Sequence, residues 1–390
     1  MDAPSILRPR YDVVVVGARC AGAATAMLLA RAGLDVLLVD RQAYGTDTMS
    51  THALMRAGVL QLSRWGLFPA VMAEATPAIR TTTFHYGDEE IRLRIKPEHG
   101  VEYLCAPRRA VLDRILVDAA RAAGAEVRHG VLLADLERGA GARITGVRLR
   151  NGKGNPVVVE CDIVIGADGR QSTVAKLVQA RTLLQASSTS SYVYGYFEGL
   201  EQDGSHWHFV ENAAAGVIPT NHGQHCVFAS VPGSAFRTTF RGNVERAFAD
   251  VLEANSRTLR QNVARARLVG RLRGFAGVPG HMRQSYGSGW ALVGDAGYFK
   301  DPITAHGITD ALRDAELLAS AVIDGRPEAL GGYQAERDAL SCTLFQITDS
   351  IASFRWSLEE VKVLHAELSA AMKAEANHLV GLSLVPPLAA

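Results

Sequence analysis

The apolar pattern opens with a continuous run, Tyr11–Val16, β-branched in its last four positions. Such a run reads as a parallel strand buried on both faces. The Ala- and Leu-rich stretch Cys20–Arg31 reads as a helix, and Gly33 suits its C-terminal stop. Asp35–Val39 reads as a second strand that leads into Asp40, which completes a βαβ unit. Thr81–Ile95 predicts a hairpin turning at Gly87-Asp88. Val101–Cys105 predicts a strand, and a helix follows from Arg109 to about Ala123, stopped at Gly124. Glu126–Leu136, Arg143–Arg150 and Val157–Glu160 predict a three-stranded meander, whose last run continues into the strand that delivers Gly166.

The middle of the chain changes character. Ser191–Phe197, His206–Val210 and His225–Val231 read as strands rich in aromatics and histidines. They predict an inserted β-sheet, with one face lining a pocket as the alternative to an ordinary sheet core. Gly307–Ile323 predicts a helix ended by Gly325 and Pro327. Ser357 to Glu360 has capping-box spacing, and Val361, Leu364, Leu368 and Met372 form one apolar stripe behind it, so the C-terminus is helical. The expected fold class is α/β: a Rossmann-like dinucleotide-binding domain from 1–80, 101–186 and 273–326, a substrate-binding β-sheet domain from 81–100 and 187–272, and a C-terminal helical segment, 327–390.

Composition narrows the function. The chain has 390 residues, 48% of them hydrophobic and 21% charged, and a net charge of +1. That balance gives no reason to expect nucleic acid or an acidic membrane as partner. No stretch is long and apolar enough for a membrane span. The five cysteines are scattered without a CxxC pair, so neither a zinc site nor a disulfide framework is expected, and a reducing cytoplasmic setting fits.

Three turns carry the chemistry: Gly17 to Gly22, Gly166 to Gly169, and Gly294-Asp295 followed by Pro302 to Gly307. Each follows a short apolar strand, Tyr11–Val16, Asp162–Ile165 or Trp290–Val293. Strand-end loops from distant parts of one chain can converge on one long ligand, and FAD has the required reach. Gly17 permits the tight turn and Gly22 close helix–sheet packing, while the helix start favours a pyrophosphate. Asp40 stands where an acid binds the adenosine ribose. Arg19 replaces the middle glycine, so its side chain must point away or serve as a counter-charge. Asp168 and Asp295, each at a strand end, are expected to accept hydrogen bonds from ribityl hydroxyls or backbone N–H groups. Pro302 suits a helix start, and Gly307 permits a flat ligand to approach.

These motifs resemble the single-component aromatic hydroxylases, FAD-dependent monooxygenases of the para-hydroxybenzoate hydroxylase superfamily. The family's DxxIGADGxxSxVR motif reads here from Asp162 to Ala175, with Ala175 and Lys176 at the closing arginine. Its GDAxHxxxPxxGxGxN motif runs from Gly294 to Thr309, with Tyr298, Ala305 and Thr309 in place of His, Gly and Asn. Arg109 matches the family's cofactor-contacting arginine. Asp47 to His52 resembles a stretch near the flavin in a bacterial branch. The resemblance implies that Gly17, Arg19, Ala21, Gly22, Asp40, Arg41, Arg109, Asp168, Gly294, Asp295, Pro302, Gly307 and Ile308 bind FAD.

It also implies NAD(P)H as a transient co-substrate and O2 as oxidant. A C4a-hydroperoxyflavin would then hydroxylate or epoxidise a mostly aromatic small molecule. His306 and His52 are the histidines assigned to catalysis, His306 first because it adjoins the expected flavin edge. Two other enzymes share the fold: a flavin-dependent halogenase, whose WxWxIP signature is reduced here to Ile218-Pro219, and a geranylgeranyl-reductase-like prenyl reductase. A non-catalytic flavoprotein and an NAD-binding module are the remaining alternatives. The choice of nicotinamide, the substrate and a homodimeric state stay open.

Overall fold

A computed structural model describes residues 7–152 and 154–382. Two large sheets organise it. The first is built on five parallel strands in the order Trp290–Leu292, Val157–Gly166, Arg10–Val16, Val36–Asp40 and Glu126–His129. Its register places Val16 beside Gly166 and Gly166 beside Leu292, so three strands end in one row. Helix Cys20–Arg31 packs on this sheet and is flanked by helices Arg109–Ala122 and Gly307–Asp324. Its buried small residues, among them Ala23, Ala24 and Ala26, allow that close packing.

The second sheet has seven strands in the order Arg267–Phe275, Ser190–Glu198, Gln224–Pro232, Ala213–Pro219, Ser205–Val210, Thr81–Tyr86 and Glu89–Arg94. All neighbours are antiparallel except the pair Thr81–Tyr86 and Ser205–Val210. Alternation separates its faces. Tyr192, Tyr194, Tyr196, Trp207, Phe209 and Phe228 join one core with Phe299, Ile303 and the C-terminal helices. Val193, Phe197, Val217 and Val227 join another with Phe248, Leu252 and Leu259, from the helices Val244–Asn255 and Arg257–Arg265. The capping box at Ser357 forms, and Val361 and Leu368 of helix Leu358–Gly381 are buried against the aromatic core.

Several local expectations need correction. Val101–Cys105 makes only isolated bridges, through Val101, Leu104 and Cys105. Glu126–Leu136 is not one strand: Gly130 takes φ 74°, so Glu126–His129 joins the parallel sheet and Val131–Arg138 begins the antiparallel meander. Strand Ala213–Pro219 and the two helices within 244–265 were not foreseen. The edge strand Arg267–Phe275 also runs past residue 272. Among the described residues no helix is long and apolar enough to cross a membrane.

Candidate functional site

The row of strand ends brings the three turns into contact. Ala167 N–H donates to Val16 O at 2.8 Å, and Val293 N–H donates to Gly166 O at 2.9 Å. Gly17 takes φ 108°, and a Cβ there would lie 2.4 Å from Ala167 O. Gly22 supports this turn from beneath: its Cβ would fall 1.8 Å from Gly17 O. Gly294 takes φ 58° and packs against Ala21. These glycines hold the turns together.

A cavity of about 600 Å³ runs across the turns. Gly17, Arg19, Ala21, Asp40, Arg41, Arg109, Asp168, Asp295, Pro302, Gly307 and Ile308 all line it. At one end Asp40 accepts from Ala18 N–H and Gln42 N–H, each at 2.7 Å, which fixes a buried carboxylate at the end of the second strand. Beside it Arg19 points sideways, pairing with Asp113 at 2.9 Å and donating to Thr46 O at 2.5 Å. Asp113 also receives Arg109 Nε at 3.1 Å and Cys20 Sγ at 3.1 Å. Burial opposes the Arg109 charge, and the Asp113 carboxylate more than offsets it, so the guanidinium stays charged.

Asp113 was not anticipated. It lies one turn after Arg109, a spacing that suits an ion pair, but on an amphipathic helix it reads as part of the polar face.

Asp168 is satisfied locally by Ser172 Oγ and by Thr173 N–H at 2.6 Å, and Ser172 in turn caps the next helix. Asp295 differs. Its carboxylate faces the cavity and has no hydrogen-bond partner among the described residues. Burial pushes its pKa up to about 6, against the pull of Arg109 and Arg170. A carboxylate so placed fits ligand hydroxyls. Helices Cys20–Arg31 and Gly307–Asp324 both begin without a side-chain cap, and Ala21, Gly307 and Ile308 bring those starts to the cavity. A Cβ on Gly307 would meet no protein atom within 4 Å; it would stand in the cavity. Ala305 takes φ 50°, a conformation glycine adopts freely, so the departure from the family's glycine is strained.

Neither histidine assigned to catalysis lines the cavity. His306 turns inward from the third loop, 1% exposed. Its Nδ1 is 3.0 Å from Asp310 and its Nε2 is 2.9 Å from Glu375 of the C-terminal helix. Burial lowers its pKa, but the two carboxylates outweigh burial and raise it. The cavity is reached instead by Lys300, which is paired with Asp310. His52 is fully buried at φ 62°. Arg109 N–H donates to its Nδ1 at 3.2 Å, which leaves the proton on Nε2 for Tyr196 Oη. Burial pushes His52 down to about 3, so it is neutral. From the same segment Asp47 does reach the cavity, held by Arg108 at 2.5 Å.

The far end of the cavity is walled by Tyr192, Tyr194, Phe228 and Phe275 of the seven-stranded sheet and by Tyr298 and Phe299. The uncapped helix starts, the unpartnered Asp295, the paired arginines and the open space at Gly307 fit FAD.

The comparisons agree. The model of the FAD binding domain family FAD_binding_3 matches residues 10–348. A digeranylgeranylglycerophospholipid reductase from Methanothrix thermoacetophila is 28% identical over 323 residues, 81% of this chain and 78% of that protein. Among solved structures, the flavin-dependent brominase Bmp2 has a TM-score of 0.79 at 16% identity, covering 97% of this chain and 94% of its own. PqsL, a probable FAD-dependent monooxygenase from Pseudomonas aeruginosa, has a TM-score of 0.76 at 20% identity, covering 93% and 100%. The chain therefore belongs to the FAD binding domain family and is an FAD-dependent oxidoreductase.

Proposed function

We propose that the protein is an NAD(P)H-dependent monooxygenase that uses O2 to hydroxylate or epoxidise a compact, mostly aromatic small molecule. The observation that carries this reading is the aromatic chamber continuous with the cofactor cradle. The whole cavity is about 600 Å³. The aromatic rings that wall its far part suit contact with a flat, apolar molecule.

Bound FAD supplies hydride uptake from the nicotinamide and activation of O2. The chain's residues supply the surroundings. The start of helix Gly307–Asp324 favours negative charge beside it. Tyr192, Tyr194, Phe228, Phe275 and Phe299 give the chamber an aromatic wall. Burial raises the Asp47 carboxyl, but Arg108 outweighs burial and holds it below the usual range. We assign this carboxylate, rather than His52 or His306, to accept a hydrogen bond from a substrate hydroxyl and so orient it.

Reduction of prenyl double bonds is the second reading, favoured by the likeness to the archaeal reductase over four-fifths of the chain. One experiment separates the two. Purified protein is reduced anaerobically with NADH or NADPH. It is then mixed with oxygen-18 gas and a panel of phenols and polyaromatics, or with a geranylgeranyl lipid, and the products are weighed by mass spectrometry. Gain of one labelled oxygen by an aromatic supports monooxygenation. Gain of two hydrogens by the prenyl lipid, with no oxygenation of any aromatic, overturns it.

A further inference from the structure

On the seven-stranded sheet, parallel pairing sets His208 directly beside His85. The strand period puts His206 on the same face, away from Trp207 and Phe209 and so away from the cofactor cavity. We infer that His85, His206 and His208 form a site for a divalent transition-metal ion of the zinc class, which clips together two strands far apart in sequence.

One ring nitrogen from each histidine lies within 4.8 Å of the other two. The rings of His85 and His208 are parallel, 3° apart in plane, with centroids 4.0 Å apart. His85 Nε2 is 3.0 Å from His206 Nδ1. Two bonds of the usual zinc–imidazole length bring their nitrogens to about 3.0–3.4 Å. The His85–His206 pair already has that spacing, and a His208 nitrogen lies within 4.8 Å of both.

The outer nitrogens are arranged as those of ligands are. His206 Nε2 donates to Asp203 O at 3.1 Å, which leaves the lone pair on Nδ1, the atom facing His85. On the far side of His85, Nδ1 is 3.8 Å from Glu90 Oε2. A carbonyl or carboxylate behind the ring is the usual support for a metal-bound histidine. With an ion present, His85 needs only to move its proton from Nε2 to Nδ1, toward Glu90.

His208 is the independent observation. It is 5% exposed, and neither ring nitrogen has a hydrogen-bond partner among the described residues. Hydrogen-bonded packing of neutral rings explains His85 and His206 but leaves both nitrogens of His208 orphaned. An ion satisfies one of them. A nitrogen donor set of this kind suits zinc and its neighbours. The ion would fix the pairing that joins Thr81–Tyr86 to Ser205–Val210, whose closure spans a long stretch of chain.

The test uses the full-length, FAD-loaded protein, stripped of metal with a chelator and dialysed against Zn²⁺. Metal content is measured by mass spectrometry and stability by thermal melting. The expected result is about one zinc per chain and a higher melting temperature with zinc. His206→Asn and His85→Gln, both at partly exposed positions, should weaken zinc binding at least tenfold and abolish the zinc-induced shift, with the circular dichroism spectrum unchanged. His378→Asn, which alters an exposed pair with Glu336, should behave as the parent does. Cobalt in place of zinc should give visible d–d bands in the parent and not in His206→Asn. No zinc retained by the parent, or equal zinc binding by the parent and both cluster variants, overturns the inference.

Discussion

The Arg19 guanidinium lies 2.9 Å from the Asp113 carboxylate, which joins the first glycine turn to the helix that carries Arg109. Arg19 occupies the place where a dinucleotide loop usually has glycine, and Asp113 draws its side chain sideways. One buried carboxylate thus pairs with two guanidinium groups at the cradle. Removing that acid leaves both cations uncompensated in a buried site. Asp113→Ala should therefore destabilise the fold by about 3–5 kcal/mol. It should also lower FAD occupancy, because the arginines lose their fixed positions. Urea unfolding and the ratio of flavin to protein absorbance check the two effects. Unchanged values for both would show that Asp113 does not organise this end of the site.

Asp295 predicts a trade between stability and cofactor binding. Its folded-state pKa is raised by burial to about 6, above its ordinary value of 3.8. Between those values the folded apoprotein binds more protons than the unfolded chain. Stability should thus fall as pH rises from about 4 to about 6, then level off. Asp295→Asn should remove that fall and make the apoprotein about 1–3 kcal/mol more stable at pH 7. The same variant should bind FAD more weakly, because an amide replaces a pure acceptor. Denaturant midpoints from pH 4 to 8 and FAD titration of the apoprotein measure both.

The legible parts of the molecule were those fixed by short-range patterning. Short apolar runs leading into Gly17, Gly166 and Gly294 identified three strand ends, and a parallel sheet has few ways to arrange them other than side by side. The split at Gly130 was hidden because strand-like residues continue on both sides of it, and a single glycine also occurs inside strands. Strand Ala213–Pro219 is rich in alanine and lacks the alternation that marks a sheet. Side-chain direction was the harder problem. His306 stands in the third loop as expected. Its ring, however, is turned away from the cavity by Asp310, on the following helix turn, and by Glu375, a residue of the last helix that local sequence does not connect to it. Asp47 was passed over for a related reason, since only its pairing with Arg108 shows that it remains a carboxylate facing the cavity.

The pairing of His306 with Glu375 makes the C-terminal helix part of the third loop's support. Glu375 also receives Arg313 Nη1 at 2.7 Å. Glu375→Gln leaves two buried cations short of a counter-charge and should cost about 3–5 kcal/mol. Because the folded-state pKa of His306 is raised from 6.5, its contribution to stability is complete below that pH and is lost as pH rises through the higher folded value. Unfolding midpoints of the parent should thus decline on the alkaline side of neutrality, and this component of the decline should be absent in His306→Asn. A decline of the same size in both proteins would mean that His306 is neutral in the folded state.

Two glycines of the cofactor motifs should fail in opposite ways. Gly22 is there for the protein: a Cβ would lie 1.8 Å from Gly17 O and 2.9 Å from Ala167 Cβ, and both neighbours belong to packed turns that cannot withdraw. Gly22→Ala should destabilise the apoprotein by about 3 kcal/mol or more, with flavin loss as a consequence. Gly307 faces open space: beyond its own helix, its Cβ would meet no protein atom within 4 Å and would stand in the cavity. Gly307→Ala should leave the apoprotein unchanged or up to about 1 kcal/mol more stable, because alanine is the better helix former. Its FAD affinity should nevertheless drop about tenfold, the equivalent of about 1.4 kcal/mol of lost contact. Apoprotein melting and FAD titration on the two variants separate the roles. If Gly307→Ala binds FAD as tightly as the parent, the flat end of the ligand does not lie against this turn.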